Sequence, residues 1–413
     1  MKIIKEKLSL LLLSVMMILS LAGCGGVVDE DKETGNQIIT TTQEVTTTEE
    51  PTTEEPTTPP FVPTEVDIVM IGDMLMHMGV QNSGKLADGT YNYDHLFTHI
   101  KDDVQAADIA IANQEVMLGG IELGLSGYPN FNCAYEVGDG LVDAGFNVIL
   151  HATNHTLDKG KKGVDNTINY WKTKHPDITY LGINETAEDQ DEIYVFEKEG
   201  IKIAILNYTY GTNGIPLPSD RPFVVNLLEE EKVKKDLKKA DELADFVVVC
   251  PHWGSEYTLV ETDYQRYWAQ LFADNGVDLI LGAHPHVVEP VTWVEGKDGS
   301  RMLCYYSVGN FVSTQQRAAT MLGAMAKVTV TNDKDGKVYI KEYAIEPLVT
   351  HRVSGVQKMT TYKLADYTSE LVKQNPILNY ASEFSMKYLY KTCKDVFGDL
   401  YIPKGEALNY VEE

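Results

Sequence analysis

Cysteine is scarce in this chain: five residues in 413, with no CxxC pair among them. No paired-thiol motif is therefore present, and Cys250, at the end of an apolar run, and Cys304, inside another, read as buried thiols rather than disulfide partners. Basic residues are also few, 35 Lys and Arg against 61 Asp and Glu, for a formal net charge of −26. Such a balance argues against nucleic acid as a partner. It would also repel a soluble polyanion at long range, although a cleft holding divalent cations reverses the local field. A membrane-spanning run is missing too. The apolar stretch Leu8–Leu21 has 14 residues, short of the roughly 20 a spanning helix needs. No internal repeat is visible. What remains, 43% hydrophobic and 23% charged residues, is an ordinary globular composition, long enough for one large domain with appendages or for two domains.

The amino terminus carries the clearest single signal. Lys2, Lys5 and Lys7 precede the apolar run, and Leu21-Ala22-Gly23-Cys24 follows it. This tetrapeptide resembles a bacterial lipobox, which implies cleavage before Cys24, lipidation of its sulfur, and a mature protein anchored by lipid to the extracellular face of the cytoplasmic membrane. A plain secretory signal or a short anchor would export the chain equally. From Gly25 to about Pro63 large apolar residues are nearly absent, and Thr, Glu and Pro dominate. Between Asp29 and Glu65 stand ten acidic residues and one lysine. Such a segment cannot bury enough surface to offset its chain entropy, so residues 25–63 read as an extended stalk.

Folded structure is expected from residue 64, where Val66–Ile71 is the first apolar run ending in a polar turn. Strand and helix patterns then alternate. Strands are expected at 109–112, 147–151, 193–197, 201–207, 246–250, 277–281 and 302–307, and helices at 137–144, 163–174, 227–243 and 264–274. A late hairpin around Asn332–Gly336 makes the sheet arrangement mixed. This is a layered α/β domain spanning 64–350. The segments 362–373 and 380–394 read as helices of a carboxyl-terminal extension, 351–413, packed on that domain.

Metal-ligand residue types recur just after the carboxyl ends of apolar strands, where open α/β sheets place their sites. Asp73 and His77 follow the first strand, Asn113 and Glu115 the second, and Asn154 and His155 the third. His252 follows a later strand, and His284 and His286 the next. Neutral imidazoles suit Zn, Mn or Fe, carboxylates can bridge two cations, and an Asn carbonyl adds a neutral oxygen. In His284-Pro285-His286 an extended backbone would put both imidazoles on one side. Asp73, His77, Glu115, Asn154, His252, His284 and His286 are thus the candidate ligands of one or two divalent ions. His77 and Glu115 serve as well as ordinary polar residues, and Asp73 and Asn154 as turn or cap residues. His155 reads as a general acid or transition-state donor, with Asp158 orienting it or capping the next helix. Asn113, Trp253, Glu256, Tyr257 and Asn310 are candidates to line a substrate cleft, although Trp253 and Tyr257 fit a core, and Asn310 a turn, equally well.

The ordered set Gly72-Asp73…His77, Asn113…Glu115, Asn154-His155, His252 and Gly282-Ala283-His284-Pro285-His286 resembles the calcineurin-like metallophosphoesterase pattern. The strings Ala152-Thr153-Asn154-His155-Thr156-Leu157-Asp158, His252-Trp253-Gly254-Ser255-Glu256-Tyr257 and Tyr306-Ser307-Val308-Gly309-Asn310-Phe311 resemble its capsule-synthesis branch, the CapA or PgsA type, over about residues 66–348. The resemblance implies an α-β-β-α sandwich and a di-metal hydrolase site. It also implies a role with an anionic, poly-γ-glutamate-type capsule or envelope polymer, in company with a membrane synthase. Two departures stand out. Three residues separate Asp73 from His77 where the pattern has Asp-x-His, and Glu115 occupies the place of the bridging aspartate. The competing expectation is a non-catalytic accessory whose site binds polymer or synthase; a binding module with a purely structural metal is the third.

Overall fold

The computed structural model describes residues 61–403, apart from Ser354 and Val356. The signal segment, Cys24 and nearly all of the expected stalk lie outside the described residues. The chain first lays down four parallel strands, β1 (Glu65–Met74), β2 (Ile109–Asn113), β3 (Val148–Leu150) and β4 (Thr179–Leu181). It then builds a second sheet from β5 (Tyr194–Lys198), β6 (Ile201–Thr209), β7 (Phe246–His252), β8 (Leu279–Leu281), β9 (Val291–Glu295) and β10 (Arg301–Tyr305), in the order β5-β6-β7-β8-β10-β9. Finally it returns to the first sheet with β11 (Asn310–Val312), β12 (Leu322–Asn332), β13 (Val338–His351) and β14 (Thr360–Lys363). The completed order is β14-β13-β12-β1-β2-β3-β4, with β11 pairing in parallel beside the end of β1.

Strand periodicity sorts the side chains into layers. In β1, Ile68 and Met70 face the other sheet, where they join Ile109, Ile111, Ile203, Ile205, Val248, Leu279 and Leu303 in the inter-sheet core. Their neighbours Val69 and Ile71 face outward, with Ala110 and Ala112, against Val137, Leu141, Tyr170 and Trp171 of the helices Glu136–Ala144 and Gly160–Lys174. On the far side, Ala204, Leu206, Val247 and Val249 meet Val233, Leu237, Trp268 and Phe272 of the helices Glu230–Leu243 and Asp263–Ala273. The result is an α-β-β-α sandwich. Strands buried on both faces need near-continuous apolar runs, which is why they stood out in the sequence.

Several details follow from local chemistry. Between β5 and β6, Glu199 and Gly200 both take positive φ, 47° and 87°, as a two-residue hairpin turn of matching twist requires. Cys133, Cys250, Cys304 and Cys393 are all free and buried. The first sheet runs past residue 350, because β14 pairs with the end of β13. Here the helix expected at 362–373 gives way to an edge strand, a 3-10 turn at Leu364–Asp366 and a short helix, Ser369–Gln374. The β-branched pair Thr360-Thr361 favours the strand, and Thr361, Leu364 and Tyr367 are buried at a three-residue spacing that imitates a helix face. The last helix, Met386–Phe397, sets Leu389, Cys393 and Phe397 into the inter-sheet core. Among the described residues no helix is long and apolar enough to cross a membrane.

Candidate metal centre

Both sheets present the carboxyl ends of their parallel strands at one edge, and the ligand-type residues meet there. The end of β1 is held against the loop before β11 by Asp73 N–H donating to Gly309 O at 2.9 Å. A Cβ at Gly72 would lie 1.8 Å from that same carbonyl oxygen, so the Gly in front of Asp73 is a packing requirement. Gly282 before His284 has the same role, its Cβ position lying 2.1 Å from Tyr306 O. After β3 the chain turns through Thr153, whose hydroxyl donates to Glu115 O at 2.8 Å and accepts from His155 N–H at 3.2 Å. This fixes the His155 turn to the Glu115 turn.

Two triads result, Glu115–His252–His284 and Asp73–Glu115–His286. In each, the ligand atoms lie within 4.8 Å of one another, and Glu115 belongs to both. His252 Nε2 is 3.7 Å from Glu115 Oε1, and His286 Nδ1 is 3.9 Å from Glu115 Oε2 and 3.0 Å from Asp73 Oδ2. All five residues are buried. Asn113 donates through Nδ2 to Asp73 Oδ1 at 2.7 Å, and Asn154 Oδ1 lies 2.9 Å from His252 Nε2. Asn310 Oδ1 lies 3.1 Å from His286 Nδ1.

The electrostatics are those of a crowded, dry carboxylate site. Burial, reinforced by the Asp73 charge and opposed by His286, holds the Glu115 carboxyl well above the usual carboxylate range. Burial pulls His286 down, but the charges of Glu115 and Asp73 outweigh it and raise the imidazole to about 9. Burial and the neighbouring histidines push His252 and His284 well below the ordinary imidazole value, so both are neutral, as ligands must be. Both Glu115 oxygens, Asn113 Oδ1 and His284 Nδ1 are buried without a hydrogen-bond partner. Buried polar atoms are rarely left so. Two carboxylates, three imidazoles and these orphaned atoms fit a divalent metal ion.

The backbone around the last pair departs from the extended segment expected. His284 and His286 both take positive φ, 99° and 61°, so a bend brings them together, with ring centroids 5.8 Å apart. Positive φ is strained for a side chain other than Gly, and strain of this kind concentrates at functional sites.

His155 stands beside the triads with Nε2 4.0 Å from Glu115 Oε1, while its Nδ1 is 2.7 Å from Asp158 Oδ2. Asp158 also accepts from Phe131 N–H at 2.7 Å, and the Phe131 ring packs edge-on to His155 at 4.7 Å. His155, Glu256 and Tyr257 line one cleft of about 570 Å³ with His286, His77 and Phe131. His77 falls in neither triad: its Nδ1 lies 3.3 Å from both Leu75 O and Thr314 N–H, and burial lowers its pKa to about 4. Trp253 points away from the cleft into the core beneath the outer helices, its indole N–H donating to Tyr306 O at 2.9 Å. His151 is a core residue whose Nε2 accepts from Trp171 Nε1–H at 2.9 Å. Four residues around the site carried no sequence signal, because they come from connections without periodicity. They are Phe131, Tyr210 (4.7 Å from the His284 ring), Asn213 (accepting from Asn154 at 3.2 Å) and Gln315 (accepting from Asn310 at 2.8 Å).

Residues 67–315, which contain every one of the triad residues, match the family described as bacterial capsule synthesis protein PGA_cap. The capsule biosynthesis protein CapA of Bacillus anthracis is 30% identical over 273 residues, 64% of this chain and 63% of that protein. The PGA biosynthesis protein CapA of Bacillus subtilis (strain 168) is 29% identical over 247 residues, 57% of this chain and 59% of that protein. The match thus spans less than two thirds of either relative. Among solved structures, the NAD nucleotidase of Haemophilus influenzae aligns over 85% of this chain and 66% of its own, with 12% identity and a TM-score of 0.45. A 5′-nucleotidase precursor from Thermus thermophilus aligns over 69% and 54%, with 16% identity and a TM-score of 0.44. With the matched segment covering more than half of its length, the chain belongs to the bacterial capsule synthesis protein PGA_cap family.

Proposed function

We propose that this protein is a metal-dependent hydrolase acting in the synthesis, export or processing of a capsule polymer of the poly-γ-glutamate type. The observation that carries the reading is Glu115: buried, without a hydrogen-bond partner on either oxygen, and common to both triads. On this reading His252, His284, Asp73, His286 and the shared Glu115 would hold one or two divalent cations, with Zn, Mn or Fe suited to the donor set. Asn113 steadies Asp73, and Asn154 lies beside His252. Such cations, when bound, activate water and polarise a phosphoryl or carbonyl oxygen. Asp158 holds the Nδ1–H of His155, leaving Nε2 directed at the centre, where it can deliver or remove a proton at the scissile bond. Phe131 limits water around that imidazole. Lipid anchorage through Cys24 at the outer membrane face, supported by Leu21-Ala22-Gly23-Cys24, would hold the cleft where polymer emerges from a membrane synthase.

The test is turnover of a panel of phosphodiesters and γ-glutamyl amides by the wild type and by the His284→Ala/His286→Ala double variant. Metal-dependent turnover of at least one substrate, lost in the double variant, supports the reading. Metal-independent turnover, or none in the wild type, contradicts it and favours a non-catalytic accessory role.

A further inference from the structure

Resting on the polymer reading above, we propose that Arg317, on the wall of the cleft, and Arg352, in the cavity next to it, form an anion-binding track that takes carboxylates of a repeating polymer. Both arginines are tied to the metal centre through one residue. Asn310, whose Oδ1 reaches His286, donates through Nδ2 to Gln315 Oε1 at 2.8 Å. Gln315 Nε2 donates to the Tyr257 hydroxyl at 3.2 Å, and Arg317 stacks its guanidinium 4.2 Å above the Tyr257 ring. On the other side, Arg352 Nη1 donates to Gln315 O at 2.7 Å. Tyr257 holds a positive φ of 67° to present that ring.

The charge pattern is unusual for this chain. Acidic residues far outnumber basic ones, yet among the described residues neither Arg317 nor Arg352 forms an ion pair with a carboxylate, and Arg352 is half-buried. Its remaining donors open to a second cavity of about 550 Å³, lined by the neutral residues Asn82, Ser83, Thr314, Asn379 and Tyr380. Thr314 borders this cavity and the catalytic cleft alike, so the two are neighbours. Glu256 is the acidic residue on the cleft wall, its side chain at the Tyr257 hydroxyl on the ring that Arg317 covers; it repels an anion there, which leaves the guanidinium groups and not that hydroxyl to take the carboxylates. A guanidinium matches a carboxylate in a two-pronged geometry. The apolar cleft residues Leu75, Tyr128 and Phe131 suit methylene groups between carboxylates, which favours a carboxylate polymer over a polyphosphate.

The experiment measures binding of a γ-linked glutamate oligomer, its uncharged amide analogue and an inorganic polyphosphate to the full chain, by calorimetry at two salt concentrations. Variants Arg317→Gln, Arg352→Gln, Arg317→Lys and His284→Ala/His286→Ala are compared. The glutamate oligomer should bind better than its amide, and each Gln variant should weaken it by about tenfold, the size of one charge-assisted hydrogen bond. Arg317→Lys should recover part of that loss. Unchanged affinity in both Gln variants, or tighter binding of polyphosphate than of the glutamate oligomer, overturns the proposal. Arginine-dependent binding without turnover of any substrate would sink the hydrolase reading while upholding the arginine wall.

Discussion

Between β8 and β10 the chain places two histidines at positive φ and a glutamate, Glu289, that is fully buried with one oxygen unpartnered. The histidines were legible in the sequence because they follow an apolar strand. Glu289 was not, because nothing in Val287-Val288-Glu289-Pro290 separates a buried carboxyl from an exposed one. Burial raises its pKa from the ordinary 4.5 to about 9, against a hydrogen bond from Gln265. The folded state therefore keeps this proton while the unfolded chain loses it, and stability falls as pH rises through about 4.5 to 9. A Glu289→Gln variant removes that loss. Its melting temperature should gain on the wild type steadily from pH 5 to pH 9; parallel curves would contradict this. Asp158→Asn should lower kcat by about 10- to 100-fold, the range for partners that orient a site residue, with metal content unchanged by elemental analysis. Loss of metal instead would make Asp158 structural to the centre.

Elements buried on both faces announced themselves, and elements at edges did not. β1, β2 and β7 are continuous apolar runs, and their ends gave Asp73, Asn113, Glu115 and His252 directly. The edge strand β4 has three residues of intermediate burial, too short and too mixed to register. At β14 the burial spacing of Thr361, Leu364 and Tyr367 imitated a helix. The loops that complete the cleft, around Phe131, Tyr210 and Gln315, have no period to read, so the second wall of the site appeared only in three dimensions. The joint between β1 and β11 is the element on which the centre depends most, since it sets Asp73 beside Asn310. Gly72→Ala would drive a Cβ into Gly309 O, a backbone atom with no rotamer to yield. Thermal melts should show a destabilisation of about 3 kcal/mol or more and a weaker metal affinity. A variant with wild-type stability and metal content would show that the two strands can part without consequence.

At the scale of the molecule, two mixed sheets carry every carboxyl-end ligand to one edge, and the chain must return from the second sheet to the first to close the site with β11. A chain starting at Phe61 keeps all the described core and should unfold cooperatively at the melting temperature of the full chain, while Cys24→Ala should release the full chain from membranes on fractionation. Aggregation of the shorter chain would place core-forming residues ahead of Phe61. Elemental analysis of purified wild type and Glu115→Gln, paired with anomalous diffraction from wild-type crystals, decides whether Glu115 is the shared ligand of the proposed two-cation centre. Two divalent ions per chain are expected, one among Glu115, His252 and His284 and one among Asp73, Glu115 and His286, each with ligand distances of about 2.0–2.2 Å, and at least one ion should be lost in the variant. A wild type that binds no divalent ion at this edge, or a Glu115→Gln variant with full occupancy of both positions, would contradict that role.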